Sequence, residues 1–435
     1  MKHTKQPPVI TAEKGKVLYM TQSGLGHIID ADGKEIDLPY CLPGETVIYD
    51  KVQRRRKTDY YYRGIATKSL SRAEPICPHF SQCGGCTLQH MNKKDYAEFK
   101  KSIVTQHLQS HGLDPFVVED PVVLKAGQRR RTNMDIRKKN DRVFLGYHQL
   151  KSHAVMNIGP CPVLDPEIET LLNPFSECLN KVLENFQNAK IFITKTDVGI
   201  DLSFEIQEVK ELSEDQRSHL KQFSEDNNLC RFIFKYRKTR DVLHEREKPY
   251  VLIDNVNVDI EPWSFLQSSV KADEYLTKWV LDAVPENAAH IYDLFCGRGT
   301  FTFPLSRKAA VTGVELDQSA LEALNSANDN LGNNKRAITT LQQNLFESPV
   351  KVQQLNNADV VVIDPPRAGA NAQCIEIGKS RVQTLIYVSC NPETFAKDCK
   401  MLTDAGYHLN KVHVLDQFIY TPHLEVVGIL SNPQL

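Results

Sequence analysis

The sequence predicts a multidomain protein: an N-terminal OB-like β-barrel, an α+β middle region with a cysteine cluster, and a C-terminal α/β domain of Rossmann-like type. Three observations carry this reading. The chain has 435 residues, more than one hydrophobic core usually serves. Its first segment reads as short strands punctuated by turn signals, the pattern of a small barrel. Its last segment alternates apolar runs ending in Gly, Pro or acidic residues with helix-like stretches, the signature of a parallel sheet covered by helices on both faces.

In order, "KVLYM", "GHIID", "KEIDLP" and "ETVIYDKVQ" supply the strands of the first region, residues 1–72, with "DADGKE" as a hairpin turn. Residues 73–260 form the middle region. It opens with clustered cysteines, followed by "NKKDYAEFKKSIVTQHLQSHG", where Tyr96, Phe99, Ile103 and Leu108 recur at helical spacing and Gly112 offers a stop. A helix over about 93–112 that packs on a domain follows from that spacing. Strand signals "RVFLGYH", "KIFITKT" and "RFIFKY" then flank one helical stretch, "PEIETLLNPFSECLNKVLENF". From 261 to 435 the α/β pattern takes over, with "HIYDLF", "AVTGVELD", "DVVVIDPP" and "TLIYVSC" as strands.

The opening "MKHTKQPPVI" has no apolar h-region and no stretch is long and apolar enough to span a bilayer; a cytoplasmic protein without membrane association is expected. In that compartment eleven cysteines point to metal ligands, a nucleophile and core residues more than to disulfides. The net charge of -1 excludes a globally basic nucleic-acid binder, yet the basic residues cluster. Lys51 to Arg72 holds eight Lys/Arg against one acid with three interleaved tyrosines, and Lys125 to Lys139 holds seven against one. A single such run is ordinarily solvated surface. Two runs with aromatic residues favour RNA, since cations neutralise phosphates and rings stack on unpaired bases.

Ligands in doubly wound sheets bind beyond the carboxyl ends of the strands. The first end, "DLFCGRGTFTF", carries Asp293 and then Gly297 and Gly299 before a helix; the second reaches Glu315, twenty-two residues after Asp293, where an acid can accept from both ribose hydroxyls. The G-x-G-x-x-G of a dinucleotide site is absent. S-adenosylmethionine, which has ribose but no phosphate, fits better. The third end puts Asp364 ahead of two prolines that stiffen the turn. The fourth, "YVSCNPETF", puts Cys390 before an Asn-Pro turn. Most buried cysteines are inert, so only its neighbours give Cys390 a role.

"DLFCGRGTF", "VELD", "IDPPRAG", "YVSCNPET" and "TPHLEVVG" strongly resemble the RNA uracil-5-methyltransferases, and the resemblance extends over essentially the whole chain. It implies that the first region is a TRAM domain and that the reaction is methylation of uracil C5 in RNA, with 23S rRNA as partner, its uridine single-stranded or flipped, and no obligate protein partner. It implies Cys390 as the nucleophile that adds to C6 and Glu425 as the base that removes the C5 proton. It implies Gln267, Phe295, Thr300, Glu315, Asn344 and Asp364 at the S-adenosylmethionine site. Thr300 stands where many relatives have Asn, and so does Ser269. Amino-group methyltransferases share a D/N-P-P motif but follow it with an aromatic residue, where this chain has Arg367. The same chemistry on tRNA, and an RNA-binding protein without catalysis, are the alternatives.

"CPHFSQCGGC" places Cys77, Cys83 and Cys86 with gaps of five and two residues. With Cys161 as a fourth thiolate, zinc or a [4Fe-4S] cluster satisfies the count. The resemblance favours the iron-sulfur cluster with all four cysteines as ligands, and the radical-SAM spacing is absent.

Overall fold

The computed structural model describes residues 9–55, 57–150, 152–207, 211–237 and 239–434. The chain divides into two compact units. The first comprises Met1–Phe99, Gln149–Ser152 and Tyr420–Pro422, and the second comprises the remainder.

The first unit holds two three-stranded sheets. One pairs Val9–Lys16 with Thr46–Arg54 and that strand with Lys57–Thr67; the other joins Tyr19–Met20, Gly26–Ile29 and Glu35–Leu38. Val17, Ile28, Ile36, Leu38, Val47 and Tyr49 form the core beneath them. The strand Lys57–Thr67 reads in the sequence only as part of a basic run. Its alternation is masked by tyrosines and charges that turn out to be used internally. Tyr60 donates to Asp30 at 3.1 Å and packs on that core with Tyr62, leaving Tyr61 as the exposed ring of the three. Lys51 is buried among Asp30, Asp32 and Glu13, Arg63 binds Asp50, and Arg72 binds Glu45. Arg54 and Lys57 are exposed, both against Asp59; Arg56 lies outside the described residues.

The second unit contains a six-stranded, mostly antiparallel sheet in the order 239–245, 231–236, 199–206, 188–196, 131–139, 142–146. Two helices, Pro166–Val182 and Glu214–Asp226, belong to it, with Phe175 packed against Phe204, Phe223 and Phe232.

The site-bearing sheet has eight strands: β1 (Val122–Val123), β2 (His290–Leu294), β3 (Ala310–Glu315), β4 (Ile338–Gln342), β5 (Val360–Ile363), β6 (Thr384–Ser389), β7 (His408–Asp416) and β8 (Glu425–Ser431), ordered 4-3-2-5-6-8-7-1. From β4 to β6 the strands are parallel. Near-continuous Val/Ile/Leu runs such as Val360–Ile363, buried on both faces, are what such strands require. β8 breaks the expected all-parallel pattern. It inserts antiparallel between β6 and β7, because β7 returns directly into β8 through a short loop instead of a crossover helix. Among the described residues no helix is long and apolar enough to cross a membrane.

The helix Lys93–Ser110 forms where its apolar spacing predicts, and Gly112 follows at φ 72°. Lys100 on this helix is fully buried. Its ammonium sits 2.9 Å from Asp416 Oδ1, at the end of β7, and 2.5 Å from the His423 carbonyl, just before β8. One cation thus ties down both ends of the 417–424 loop. Removing one partner of such a pair leaves an uncompensated buried charge. Lys100→Met is therefore expected to destabilise the protein by about 3–5 kcal/mol, read as a lowered denaturation midpoint; a wild-type midpoint would show that the pair is dispensable.

Candidate active site

The functional side chains predicted from the sequence gather at one edge of the eight-stranded sheet. Phe295 follows β2 at φ 62° and Gly299 sits at φ 97°. A Cβ at Gly299 would come within 2.9 Å of Phe303, so the turn between β2 and its helix needs glycine there. Glu315 ends β3, and both its oxygens are held by backbone N–H groups: Gly297 at 3.0 Å, Leu316 at 2.6 Å and Asp317 at 2.9 Å. Asn344 follows β4 and accepts from Phe346 N at 3.1 Å; Phe346 in turn packs its ring 5.4 Å from Phe295. Asp364 follows β5, and Cys390 follows β6. Thr300 lies in the turn after Gly299, and no hydrogen bond of its side chain is seen among the described residues.

Cys390 and Glu425 are brought together by strand register. β6 and β8 pair Val388 with Val427 and Ser389 with Val426. Cys390 is the residue after the last pair and Glu425 the residue before Val426, and side chains opposed at such a position of a ladder stand about 5 Å apart. Electrostatics agree: burial, then the charges of Glu425 and Asp364, push the Cys390 thiol up to about 11, with Arg367 pulling the other way.

The acids around it are desolvated. Burial pushes Asp364 up to about 7. Burial, with Asp364 and Glu315 adding to it, pushes Asp293 up to about 7 against the Thr302 hydroxyl at 2.5 Å. Burial and then Asp364 push Glu425 up to about 8, opposed by a hydrogen bond from Gln417. Among the described residues the second oxygen of Asp293 is buried with no hydrogen-bond partner. A set of buried, under-compensated carboxyls favours a cation among them. The sulfonium of S-adenosylmethionine is such a cation, so these residues fit the cofactor expected from the sequence.

Gln267 lies in the loop before the helix Val270–Asp282, and Ser269 caps that helix by accepting from Lys271 N at 3.1 Å. The Ser in place of the common Asn thus has a structural use as an N-cap. The loop is gripped by the second basic run. Arg130 is buried, donating to the Gln267 carbonyl at 3.1 Å and to Asp273 at 2.6 Å, while its N–H binds the Ser268 carbonyl at 2.8 Å. Arg131 reaches the Leu266 carbonyl at 3.2 Å, and Lys138 is buried on helix-end carbonyls. These cations, read in the sequence as phosphate contacts, are spent inside the fold; only partner positions distant in sequence reveal that.

Cys77, Cys83 and Cys86 are half-buried in the first unit, and Cys161, also half-buried, belongs to the second. The Gly85 N–H points at Cys83 Sγ at 3.4 Å, and burial raises the Cys83 thiol, with Cys77 adding to it. Among the described residues no three His, Cys, Asp or Glu side chains are grouped so as to hold a metal ion. The expected ligand set is therefore not assembled. Thiol donors of this kind are drawn into a cage by the metal itself, since its binding energy is what orders such a site.

The sequence profile of the tRNA (Uracil-5-)-methyltransferase family matches residues 98–433. The chain belongs to this family. An RNA methyltransferase of Agrobacterium fabrum, itself uncharacterised, is 34% identical, the match covering 96% of this chain and 98% of the relative. The 23S rRNA (uracil(1939)-C(5))-methyltransferase RlmD of Aliivibrio fischeri is 30% identical over 96% of this chain and 95% of its own. Among solved structures, the Pyrococcus abyssi tRNA (uracil-54, C5)-methyltransferase in complex with S-adenosyl-L-homocysteine superposes with a TM-score of 0.72 at 24% identity, covering 96% of this chain and 99% of that one. That likeness shows a methyltransferase fold, and the mixed eight-stranded sheet fits its Rossmann-like type. The motifs that suggested the uracil-5-methyltransferase family thus lie within the matched residues.

The Cys390–Glu425 pairing predicts a measurable coupling. Replacing the carboxylate in Glu425→Gln removes a charge that raises the thiol, so the onset of Cys390 alkylation by iodoacetamide moves to lower pH. At mildly alkaline pH the Cys390 peptide should be modified about three- to ten-fold faster than in wild type, as read by mass spectrometry. Equal rates would place the two groups out of electrostatic reach.

Proposed function

We propose that this protein methylates C5 of a uridine in RNA, using Cys390 as nucleophile and Glu425 as base. The observation that supports the reading is the β6–β8 register, whose last pair, Ser389–Val426, adjoins Cys390 on one strand and on the other Glu425, a buried carboxyl raised to about 8. A general base is most effective when its pKa lies near the working pH.

Gln267, Phe295, Thr300, Glu315, Asn344 and Asp364 would hold the cofactor. S-adenosylmethionine, when bound, supplies the methyl group on a sulfonium cation. Uracil C5 is a weak nucleophile, and Cys390 remedies that: its thiolate forms a bond to C6, and the C5–C6 π electrons move onto C5 and the O4 enolate. Once C5 carries the methyl group, Glu425 takes the C5 proton. The freed electron pair restores the C5–C6 double bond, the C6–S bond breaks, and its electrons return to sulfur.

For the substrate we propose 23S rRNA, at the uridine equivalent to uracil 1939. Near-full-length likeness to RlmD supports this, and a tRNA uridine is the alternative. The first region is proposed as a TRAM domain that binds RNA through Arg54, Lys57 and Tyr61, exposed on one strand pair, and Arg55, exposed in the turn between the two strands. Cytoplasmic location follows from that substrate.

Different variants should stop at different points. Cys390→Ala should lose turnover and form no protein–RNA adduct. Glu425→Gln should accumulate a covalent complex that survives denaturing electrophoresis and whose mass includes the added methyl group. Activity retained by Cys390→Ala, or adduct formed by it, would overturn the mechanism. Methylation of a tRNA transcript but not of a 23S rRNA fragment would decide for the alternative substrate.

Cys77, Cys83, Cys86 and Cys161 are proposed as ligands of a [4Fe-4S] cluster with a structural or RNA-positioning part. Support comes from the C-x5-C-x2-C spacing and the N–H directed at Cys83 sulfur. Protein purified without oxygen is expected to contain about four irons per chain with matching sulfide. Stoichiometric zinc without iron would exclude the cluster.

A further inference from the structure

Gln417 has no part in the reading above, yet it sits between its two halves. It follows Asp416 at the end of β7 and is 6% exposed. Its Oε1 accepts from the Ser268 N–H at 2.9 Å and from the Ser268 hydroxyl at 2.8 Å. A backbone N–H can only donate, so the atom facing Ser268 is the amide oxygen and the group cannot be turned over. Its nitrogen must then face the other way. Nε2 donates to Gln267 Oε1 at 2.6 Å and to Glu425 Oε1 at 2.9 Å. All four hydrogen-bonding capacities of this buried amide are engaged, two of them on residues from opposite sides of the site. The anchor is rigid, because Ser268 is itself held by Arg130 and its neighbour Ser269 caps a helix.

We propose that Gln417 is the positioning residue for proton removal: it tethers Glu425 by Oε1, leaves Oε2 to take the C5 proton, and links that orientation to Gln267 on the cofactor side. The proposal rests on the uracil-C5 reading above. In this step the C5–H bond breaks, the proton goes to Glu425 Oε2, the C5–H electrons become the C5–C6 π bond, and the C6–S electrons return to Cys390. Gln417 exchanges no proton. Its contribution is to stabilise the carboxylate, since an N–H donor favours the ionised form. The other groups facing Glu425 are Asp364 and Cys390; Arg367 acts on Cys390, and the Lys100–Asp416 pair next to Gln417 is neutral overall. Apart from Gln417, none of the groups in contact with the carboxyl offsets its burial, so loss of this donor shifts its proton uptake upward in pH.

The test follows the methylated covalent complex with an RNA fragment that the wild type modifies, measuring its resolution from about pH 6 to about pH 10. Gln417→Met removes the donor at similar volume. Its rising limb is expected about one pH unit above wild type, with resolution near neutral pH about ten-fold slower and adduct formation retained. Gln417→Glu keeps the acceptor for Ser268 and replaces the donor by a like charge, so its limb moves further in the same direction. This second variant decides the matter if the first fails to fold. Both variants resolving with the wild-type pH profile would overturn the role of Gln417. If Glu425→Gln traps the methylated complex while the Gln417 variants behave as wild type, only this inference falls; if wild type forms no such complex, the uracil-C5 reading falls and takes the inference with it.

Discussion

The antiparallel insertion of β8 is the constraint on which the site depends. In a purely parallel sheet every strand delivers its carboxyl end to the ligand edge, and the groups there come from loops. β8 runs the other way, so its first residue enters at that edge and is locked in register with the last residues of β6. Glu425 is consequently fixed by its pairing with Leu415, one residue from the Ser389–Val426 pair that precedes Cys390, not by loop conformation. Gly428 is part of the same arrangement: a Cβ there would come within 2.6 Å of Phe395, so a side chain would push away the helix that begins just after Cys390. Lys100 completes it by holding the ends of the preceding loop. Sites built on strands hold reacting groups more tightly than sites built on loops.

The cost of this rigidity is desolvation. Strand ends packed between helices bury Asp293 and Glu425 and leave Asp364 half-buried, and desolvation raises the proton affinity of all three. The fold answers selectively. Glu315 receives three backbone N–H groups, Asp293 a threonine hydroxyl, and Glu425 a single amide donor, whereas burial is the one cause that moves Asp364. Acids left with little internal compensation suit a cationic ligand.

Much of the α/β half was legible in the sequence. Runs such as "DVVVIDPP" and "TLIYVSC" combine a buried-strand composition with a polar terminus, so both the strands and the residues beyond them could be read locally. What could not be read depends on partners far apart in the chain. Arg130 looks like one more cation in a basic run, but its partners are some 140 residues away. Lys100 fits an amphipathic helix equally well exposed or buried; its pairing with Asp416 spans 316 residues. Tyr60 and Tyr62 belong to a strand whose period is hidden because its polar side chains are satisfied within the unit. Gln417 lies in "LDQFIY", which contains no motif, and its importance arises only when β7 and the 267–268 loop meet.

The closeness of Cys390 and Glu425 also imposes an order on charge. The charge of Glu425 raises the proton affinity of Cys390, and two neighbouring groups of this kind titrate as a pair that resists holding two negative charges. In the proposed mechanism they never need to. While the thiolate forms, Glu425, at about 8, is largely protonated near neutral pH, and its charge does not oppose ionisation of the sulfur. Once sulfur is bonded to C6 its charge is gone, so no thiolate opposes the ionisation of Glu425 at the stage when a base is required. When the C6–S bond breaks, negative charge returns to sulfur while Glu425 has just accepted a proton. The same short distance that places both groups on one pyrimidine ring therefore alternates their charges through the cycle, and a pair set further apart would lose that coupling along with the geometry.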